Sequence, residues 1–315
     1  MSLEKILKDN KLFWQYPVCT EKQFYLQNRE DTNYLGFPWA TAIDSNISLL
    51  TLVKLIAPLV DKDKKYYTCC QHIFFHRLAR LFDIFNIKDI YTPHKKIGEE
   101  VLGLDTKGVT WYSSDTTRLH PCPLYAVNVE DPTRNSVFEN QDFMQTERSL
   151  LFSFIGCYRE DYLSDVRGRI LNLKDDDAAI YSLENWHFDE IVYRDNNQNY
   201  KHDYEVSQIH NKRTELYNKT LLDSKYSLCP SGTGPNSIRF WESLAVGAIP
   251  ILLADTLELP KHDLWEKAIL RVREEDVETI PELLRSIGKE EEEDRRSKCL
   301  DLYSFYRSDY KNDKN

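Results

Sequence analysis

Between Tyr226 and Pro260 the chain reads YSLCPSGTGPNSIRFWESLAVGAIPILLADTLELP. A short apolar run, Tyr226 to Cys229, is stopped by Pro230. Small residues follow, Ser231-Gly232-Thr233-Gly234-Pro235, a composition suited to a sharp turn and close backbone approach. Asn236 or Ser237 then suits a helix N-cap, and Trp241, Leu244 and Ala245 fall at the spacings of one buried helical face. Gly247 stands where such a helix would end in the left-handed conformation. Ala248 to Ala254 is almost wholly aliphatic, the pattern of a parallel strand covered on both faces. The stretch therefore predicts a strand–loop–helix–strand unit with a glycine loop at the carboxyl end of its first strand.

Two charges on that helix constrain its use. Arg239 lies in the first turn, where the macrodipole and free N–H groups disfavour a cation, unless an external anion binds there. Glu242, three residues on, could accept hydrogen bonds from ribose hydroxyls; the competing role is a surface Arg–Glu pair of little energetic weight. A glycine loop at a strand's carboxyl end favours the ligand role.

Ser227-Leu228-Cys229-Pro230-x-Gly232, Asn236-Ser237-x-Arg239-x-x-Glu242-Ser243-Leu244, Gly247-x-Ile249-Pro250-Ile251, Asp255 and Leu259-Pro260 together resemble the signature of exostosin-like glycosyltransferases. Ile280-Pro281-x-x-Leu284-Arg285-Ser286-Ile287, followed by Arg295-Arg296 and Tyr303, is similar to that family's C-terminal helices. The matching residues occupy about the last third of the chain. The resemblance implies an α/β protein of GT-B type, with two Rossmann-like domains facing across a cleft. It implies a nucleotide-sugar donor held by the C-terminal domain, inverting transfer to a glycan acceptor, and a C-terminal helix that crosses back to the first domain. Uridine diphosphate is the expected carrier. A GDP-using fucosyltransferase-like enzyme has a related helix but lacks the Pro-x-Gly before it. A noncatalytic nucleotide- or sugar-binding module is the remaining alternative.

The 315 residues suffice for two domains with separate cores. A net charge of −10 argues against general nucleic-acid binding, although one local arginine cluster is enough for a nucleotide. The seven cysteines are odd in number and form no disulfide framework, and no apolar run approaches the roughly 20 residues of a membrane span. With nothing like a signal peptide at the N-terminus, the expectation is a cytoplasmic protein.

In order, residues 1–30 suggest one short helix and an irregular segment, and 34–44 an aromatic loop ending in Asp44. A helix is expected over 47–59, a strand over 65–71, a helix over 72–85, and strands at 89–93 and 123–127. These make an acceptor-binding α/β domain, residues 1–148. Asn128 to Gln145 has a linker's composition; Leu150 to Cys157 is a buried strand that opens the nucleotide-sugar-binding domain, residues 149–315. The chain to about 220 is irregular, with KDDD and RDNNQN turns. Helix and short strand follow over 261–273, then helices at 276–287 and on to Tyr306, with a frayed tail from Ser308.

Glycosyl transfer needs stabilisation of the leaving diphosphate and a base for the acceptor hydroxyl. Arg239, Arg159, Arg167, Ser231, Gly232, Gly234, Asn236 and Ser237 are the candidates for the diphosphate, without a metal or other cofactor. Asp44 is the candidate base, its competing role a helix N-cap before Ile47. His72, His94 and Trp39 are candidates for acceptor contact, or, for the histidines, reserve bases. Asp61-Lys62-Asp63 and Asp175-Asp176-Asp177 match a loose metal-binding DxD pattern, but matches arise by chance among 51 acidic residues. His72 and His76 stand at i, i+4 without the glutamate of a metalloprotease helix.

Overall fold

The aliphatic runs of the sequence become strands, and every strand pairing is parallel. A computed structural model of the chain describes residues 2–16, 18–103, 117–125, 127–184 and 204–309. The chain divides into two compact units, Met1–Leu124 with Thr256–Lys261, and Tyr125–Asp255 with His262–Asn315.

The first unit is built on a sheet of β1 (Tyr66–Cys69), β2 (Ile87–Thr92) and β3 (Arg118–Pro121) in that order. Around it lie α1 (Leu3–Asp9), α2 (Thr20–Asn28), α3 (Trp39–Asp44), α4 (Leu49–Ile56) and α5 (Ala79–Ile84). The aromatic segment expected as a loop closes into α3 because Trp39, Ala40, Thr41, Ala42 and Ile43 are all buried. Trp39 meets Phe82 edge-on at 5.2 Å and donates its indole N–H to Thr68 Oγ1 at 2.8 Å. It is a core residue rather than an acceptor contact, and truncating such a side chain costs about 3–5 kcal/mol. The third strand also differs from the expectation: it is Arg118–Pro121, and 123–125 are not strand. Arg118 and His120 are both bound by Asp89 of β2, a cross-strand tie that apolar patterning does not register.

Residues 256–261 join this unit after leaving the second one's sheet. The amide of Ile97 donates to Thr256 O, and that of Glu258 to Lys95 O. The buried Lys95 ammonium lies 2.7 Å from Glu258 and 3.4 Å from Glu100.

The second unit has a five-stranded sheet of β4 (Leu150–Gly156), β5 (Ala178–Ser182), β6 (Ser224–Pro230), β7 (Ile249–Leu253) and β8 (Leu270–Arg271), ordered β5-β4-β6-β7-β8. Numbered within the unit this is 2-1-3-4-5, the doubly wound order whose switch point lies between β4 and β6. Its helices are α6 (Val127–Glu130), α7 (Val166–Asn172), α8 (Tyr204–Asp223), α9 (Ile238–Val246), α10 (Trp265–Ala268), α11 (Ile280–Ser286) and α12 (Lys289–Ser304). The region before 220, expected to be irregular, holds α7, β5 and the 20-residue α8. The RDNNQN turn and residues 310–315 of the expected frayed tail lie outside the described residues.

Residues 125–148, which composition assigned to the first domain, cluster with the second unit through two arginines. Arg134 reaches Asn128, His210 and Thr214. Arg148 donates to the carbonyls of Leu222 and Val246, at helix ends that would otherwise be orphaned, and to that of Ser224 at the start of β6. The last long helix, α12, packs on α9 and α10 within its own unit. Trp241, Trp265 and Tyr306 seal this contact, Trp265 and Tyr306 stacking at 5.5 Å. Gly247 takes φ 66, and Arg296 of α12 donates to its carbonyl at 2.6 Å.

One buried carboxyl sets a pH dependence for the first unit. Glu21 accepts from the amides of Ala40 and Gln71 at 3.1 and 3.0 Å, and burial, with a smaller contribution from Asp44, pushes its pKa from 4.5 up to about 8. The folded state therefore holds a proton that the unfolded chain gives up near 4.5, so this contribution to stability falls as pH rises through that window. Glu21→Gln, permanently uncharged, should lose less stability than the wild type between about pH 5 and 8, by an amount on the order of 2–4 kcal/mol. Thermal unfolding at the two pH values checks this, and parallel losses in both proteins would show an ordinary, ionised Glu21.

Candidate functional site

The switch point between β4 and β6 is where two arginines converge. Arg239, in the first turn of α9, donates from Nη1 to Leu228 O of β6 at 3.3 Å and from Nη2 to Ile155 O of β4. Its guanidinium lies 4.5 Å from the centre of the Phe154 ring and 5.7 Å from that of Tyr217. Arg167, from α7, donates through Nε to Ser231 O at 2.7 Å and lies over the Tyr162 ring at 5.1 Å. Burial, with the neighbouring charge of Arg239, lowers the Arg167 pKa to about 10. Neither arginine has a carboxylate partner among the described residues. Carbonyl dipoles and aromatic faces hold both cations without neutralising them.

The glycine loop is shaped to this pair. The Ser231 amide continues the sheet by donating to Leu253 O, and the Gly232 amide donates to Gly234 O, tightening the turn. A Cβ on Gly232 would lie 2.9 Å from Arg167 Nη2, so glycine is what lets the guanidinium approach. Asn236 Oδ1 accepts from the Ser237 amide at 2.9 Å, while the hydroxyl of Ser237, at the N-cap, takes no hydrogen bond from the first turn of α9, where only its carbonyl accepts, from the Phe240 amide at 3.1 Å. The helix thus begins without a side-chain cap beside two positive charges, an arrangement that attracts phosphate oxygens.

Three donor candidates fall in other places. Glu242 is 3 % exposed, its Oε1 accepting from the Asn128 amide at 3.3 Å and its Oε2 from the Tyr217 hydroxyl at 2.6 Å. Burial raises its pKa, while those two donors and Arg239 pull the other way. It forms no ion pair with Arg239 and ties α9 to α6 and α8, in place of the ribose contact that spacing suggested. Arg159 lies in solvent, clasped by Asp161 at 2.8 and 2.9 Å. Ser231 is 2 % exposed and gives its hydroxyl to Glu274 at 2.6 Å.

The first unit carries a separate polar group. Asp44, the last residue of α3, accepts from Gln15 Nε2 and from His72 Nε2, the latter at 2.9 Å. His72 Nδ1 accepts from the Phe74 amide, so the proton sits on Nε2 and the imidazole is a donor to the carboxylate. Both side chains are half-hidden, 13 and 12 % exposed. The cap of α4 is Ser48, not Asp44. His72 is therefore a holder of Asp44, not a base in its own right. His94 is buried, its Nδ1 has no partner, and burial lowers its pKa to about 3, so it stays neutral. Gln15, Glu21 and Glu274 escaped the sequence reading: each makes its decisive contact with a residue 29 or more positions away, and none stands in a recognisable pattern.

Of the DxD matches, Asp175 and Asp177 are bound by Arg285, and Asp61 caps the amide of Asp63 in a turn. Among the described residues no group of three or more His, Cys, Asp or Glu side chains is placed to hold a metal, and no helix is long and apolar enough to cross a membrane.

Residues 82–287 match the Exostosin GT47 domain. The exostosin-1 homolog of Caenorhabditis elegans is 30 % identical over 190 residues, 58 % of this chain and 48 % of its own length. The probable glucuronosyltransferase GUT1 of Oryza sativa subsp. japonica is 32 % identical over 97 residues, 30 % of this chain and 22 % of its own. The chain spans about half the length of these relatives, or less. The crystal structure of TarM superposes at a TM-score of 0.40 and 9 % identity over 81 % of this chain and 54 % of that one, a likeness too low to carry an argument. Since the domain match takes in residues 82–287 of 315, with the switch-point site inside it, the chain belongs to the exostosin GT47 family of glycosyltransferases.

Proposed function

We propose that the chain transfers a sugar from a nucleotide diphosphate donor to a hydroxyl of a glycan acceptor, and that the diphosphate binds at the β4/β6 switch point. The observation that carries this reading is the pair Arg167 and Arg239, two guanidinium groups without carboxylate partners among the described residues, beside a helix start without a side-chain cap. As the bond between the anomeric carbon and the diphosphate oxygen breaks, charge grows on the leaving group, and preorganised cations favour that state over the ground state. The acceptor oxygen forms the new bond to the anomeric carbon and passes its proton to Asp44. His72 and Gln15 donate to this carboxylate and so keep it oriented. Transfer on this scheme inverts the anomeric centre and needs no metal. Relatives described as glucuronosyltransferases favour a glucuronosyl donor. Uridine diphosphate as the carrier and the cytoplasm as the compartment are part of the same proposal. Donor hydrolysis or transfer by the purified chain separates this reading from a noncatalytic binding module, which would bind the nucleotide sugar and leave it intact.

Arg239→Ala and Arg167→Ala should each weaken nucleoside diphosphate binding about 10- to 150-fold, the roughly 1.5–3 kcal/mol of a hydrogen bond to a charged group. Calorimetric titration, with the melting temperature as a control for folding, checks this; unchanged affinity in both variants would remove the diphosphate from the switch point. Asp44→Asn should leave donor affinity intact and lower the transfer rate at least 100-fold, the range expected for loss of a general base. Full turnover by that variant would take the base role from Asp44.

A further inference from the structure

The switch-point site also contains a carboxylate held for a different purpose. Glu274 follows β8 and opens a 3-10 turn, Glu274–Thr279, and three contacts fix its place. Its amide donates to Asp255 Oδ1 at 3.1 Å, its carbonyl accepts from Arg169 Nη1 at 3.0 Å, and its Oε1 accepts from Ser231 Oγ at 2.6 Å. The side chain is half-buried, and Oε2 takes no donor from the protein among the described residues. The carboxylate is thereby tethered to the residue whose own carbonyl receives Arg167.

A negative group so close to an anion site would weaken binding of a bare phosphate unless the ligand also brings hydrogen-bond donors. A nucleotide does so through its ribose diol, two adjacent hydroxyls that suit a carboxylate with a vacant oxygen. Glu242 cannot serve, since both its oxygens are taken inside the fold. Asp161 is engaged by Arg159, and Glu278 by Arg169. We propose that Glu274 is the residue that recognises the ribose hydroxyls of the donor nucleotide, and that Ser231 is its positioning residue. The proposal rests on the switch-point reading above, and it gives Ser231 a part in binding through Glu274 and not by direct contact with phosphate.

The test is titration of the full chain with UDP and GDP, their 2′-deoxy counterparts, and inorganic pyrophosphate. The wild type should bind the better ribonucleotide at least tenfold more tightly than its deoxy form. Glu274→Gln should bring that ratio to within about twofold while pyrophosphate, relieved of a nearby negative charge, binds as tightly as to the wild type or more tightly. Ser231→Ala should give an intermediate ratio, restored by Ser231→Thr, an outcome that simple destabilisation would not produce. If the wild type binds pyrophosphate and nucleotides but does not distinguish ribose from deoxyribose, or if Glu274→Gln retains the full ratio, Glu274 is not the reader and the anion site still stands. If a folded wild type binds neither pyrophosphate nor nucleotides, the switch-point reading falls and this proposal falls with it.

Discussion

Two cations held without counter-ions among the described residues are the constraint from which the second unit can be understood. Burying a guanidinium is costly, and proteins ordinarily offset the cost with a carboxylate. Arg167 and Arg239 instead rest on carbonyls at the ends of β4 and β6 and on the faces of Phe154, Tyr162 and Tyr217. Those partners satisfy hydrogen bonds and leave the positive potential in place. Neighbouring carboxylates are held by other groups: Glu242 by Tyr217 and Asn128, Asp161 by Arg159, and one oxygen of Glu274 by Ser231. On the proposed reading, the unspent positive potential is what an incoming diphosphate would meet, which is how a binding site differs from a salt bridge.

How much of this could be read from the residues depended on the distance over which each feature is determined. The unit from β6 to β7 was legible because every part of it is local: an apolar strand, small residues at a turn, a helix with a buried stripe, and a glycine at φ 66. Arg239 was legible because a cation in a first turn violates a local rule. Glu242 was misjudged because its partners, Asn128 and Tyr217, lie 114 and 25 residues away. Helix α8 was missed because it is mostly polar, and β3 because its four residues, RLHP, owe their pairing to Asp89 on the neighbouring strand. The division into units was misplaced because composition does not reveal that Arg134 and Arg148 bind residues of α8 and α9.

The first unit follows a different electrostatic principle, in which protons rather than counter-ions settle buried charge. Glu21 keeps a proton and His94 refuses one, so two ionisable groups sit in the core uncharged near neutrality. Asp44 is kept between two donors, and the tautomer of His72 is set by the Phe74 amide. A carboxylate so oriented keeps lone pairs for a further hydroxyl, which is why the neighbouring neutral groups matter to the one charged one.

The passage of residues 256–261 into the first unit bears on how a ribosome must make this protein. Lys95 is buried with its shorter ion pair to Glu258, and the backbone of 95–97 bonds to that of 256–258. Residues 1–124 therefore emerge from the exit tunnel before residues 256–261 of the same unit. Their last contacts must wait until the greater part of the second sheet has been synthesised. A nascent chain paused between the two points would hold an ammonium group short of its nearer carboxylate.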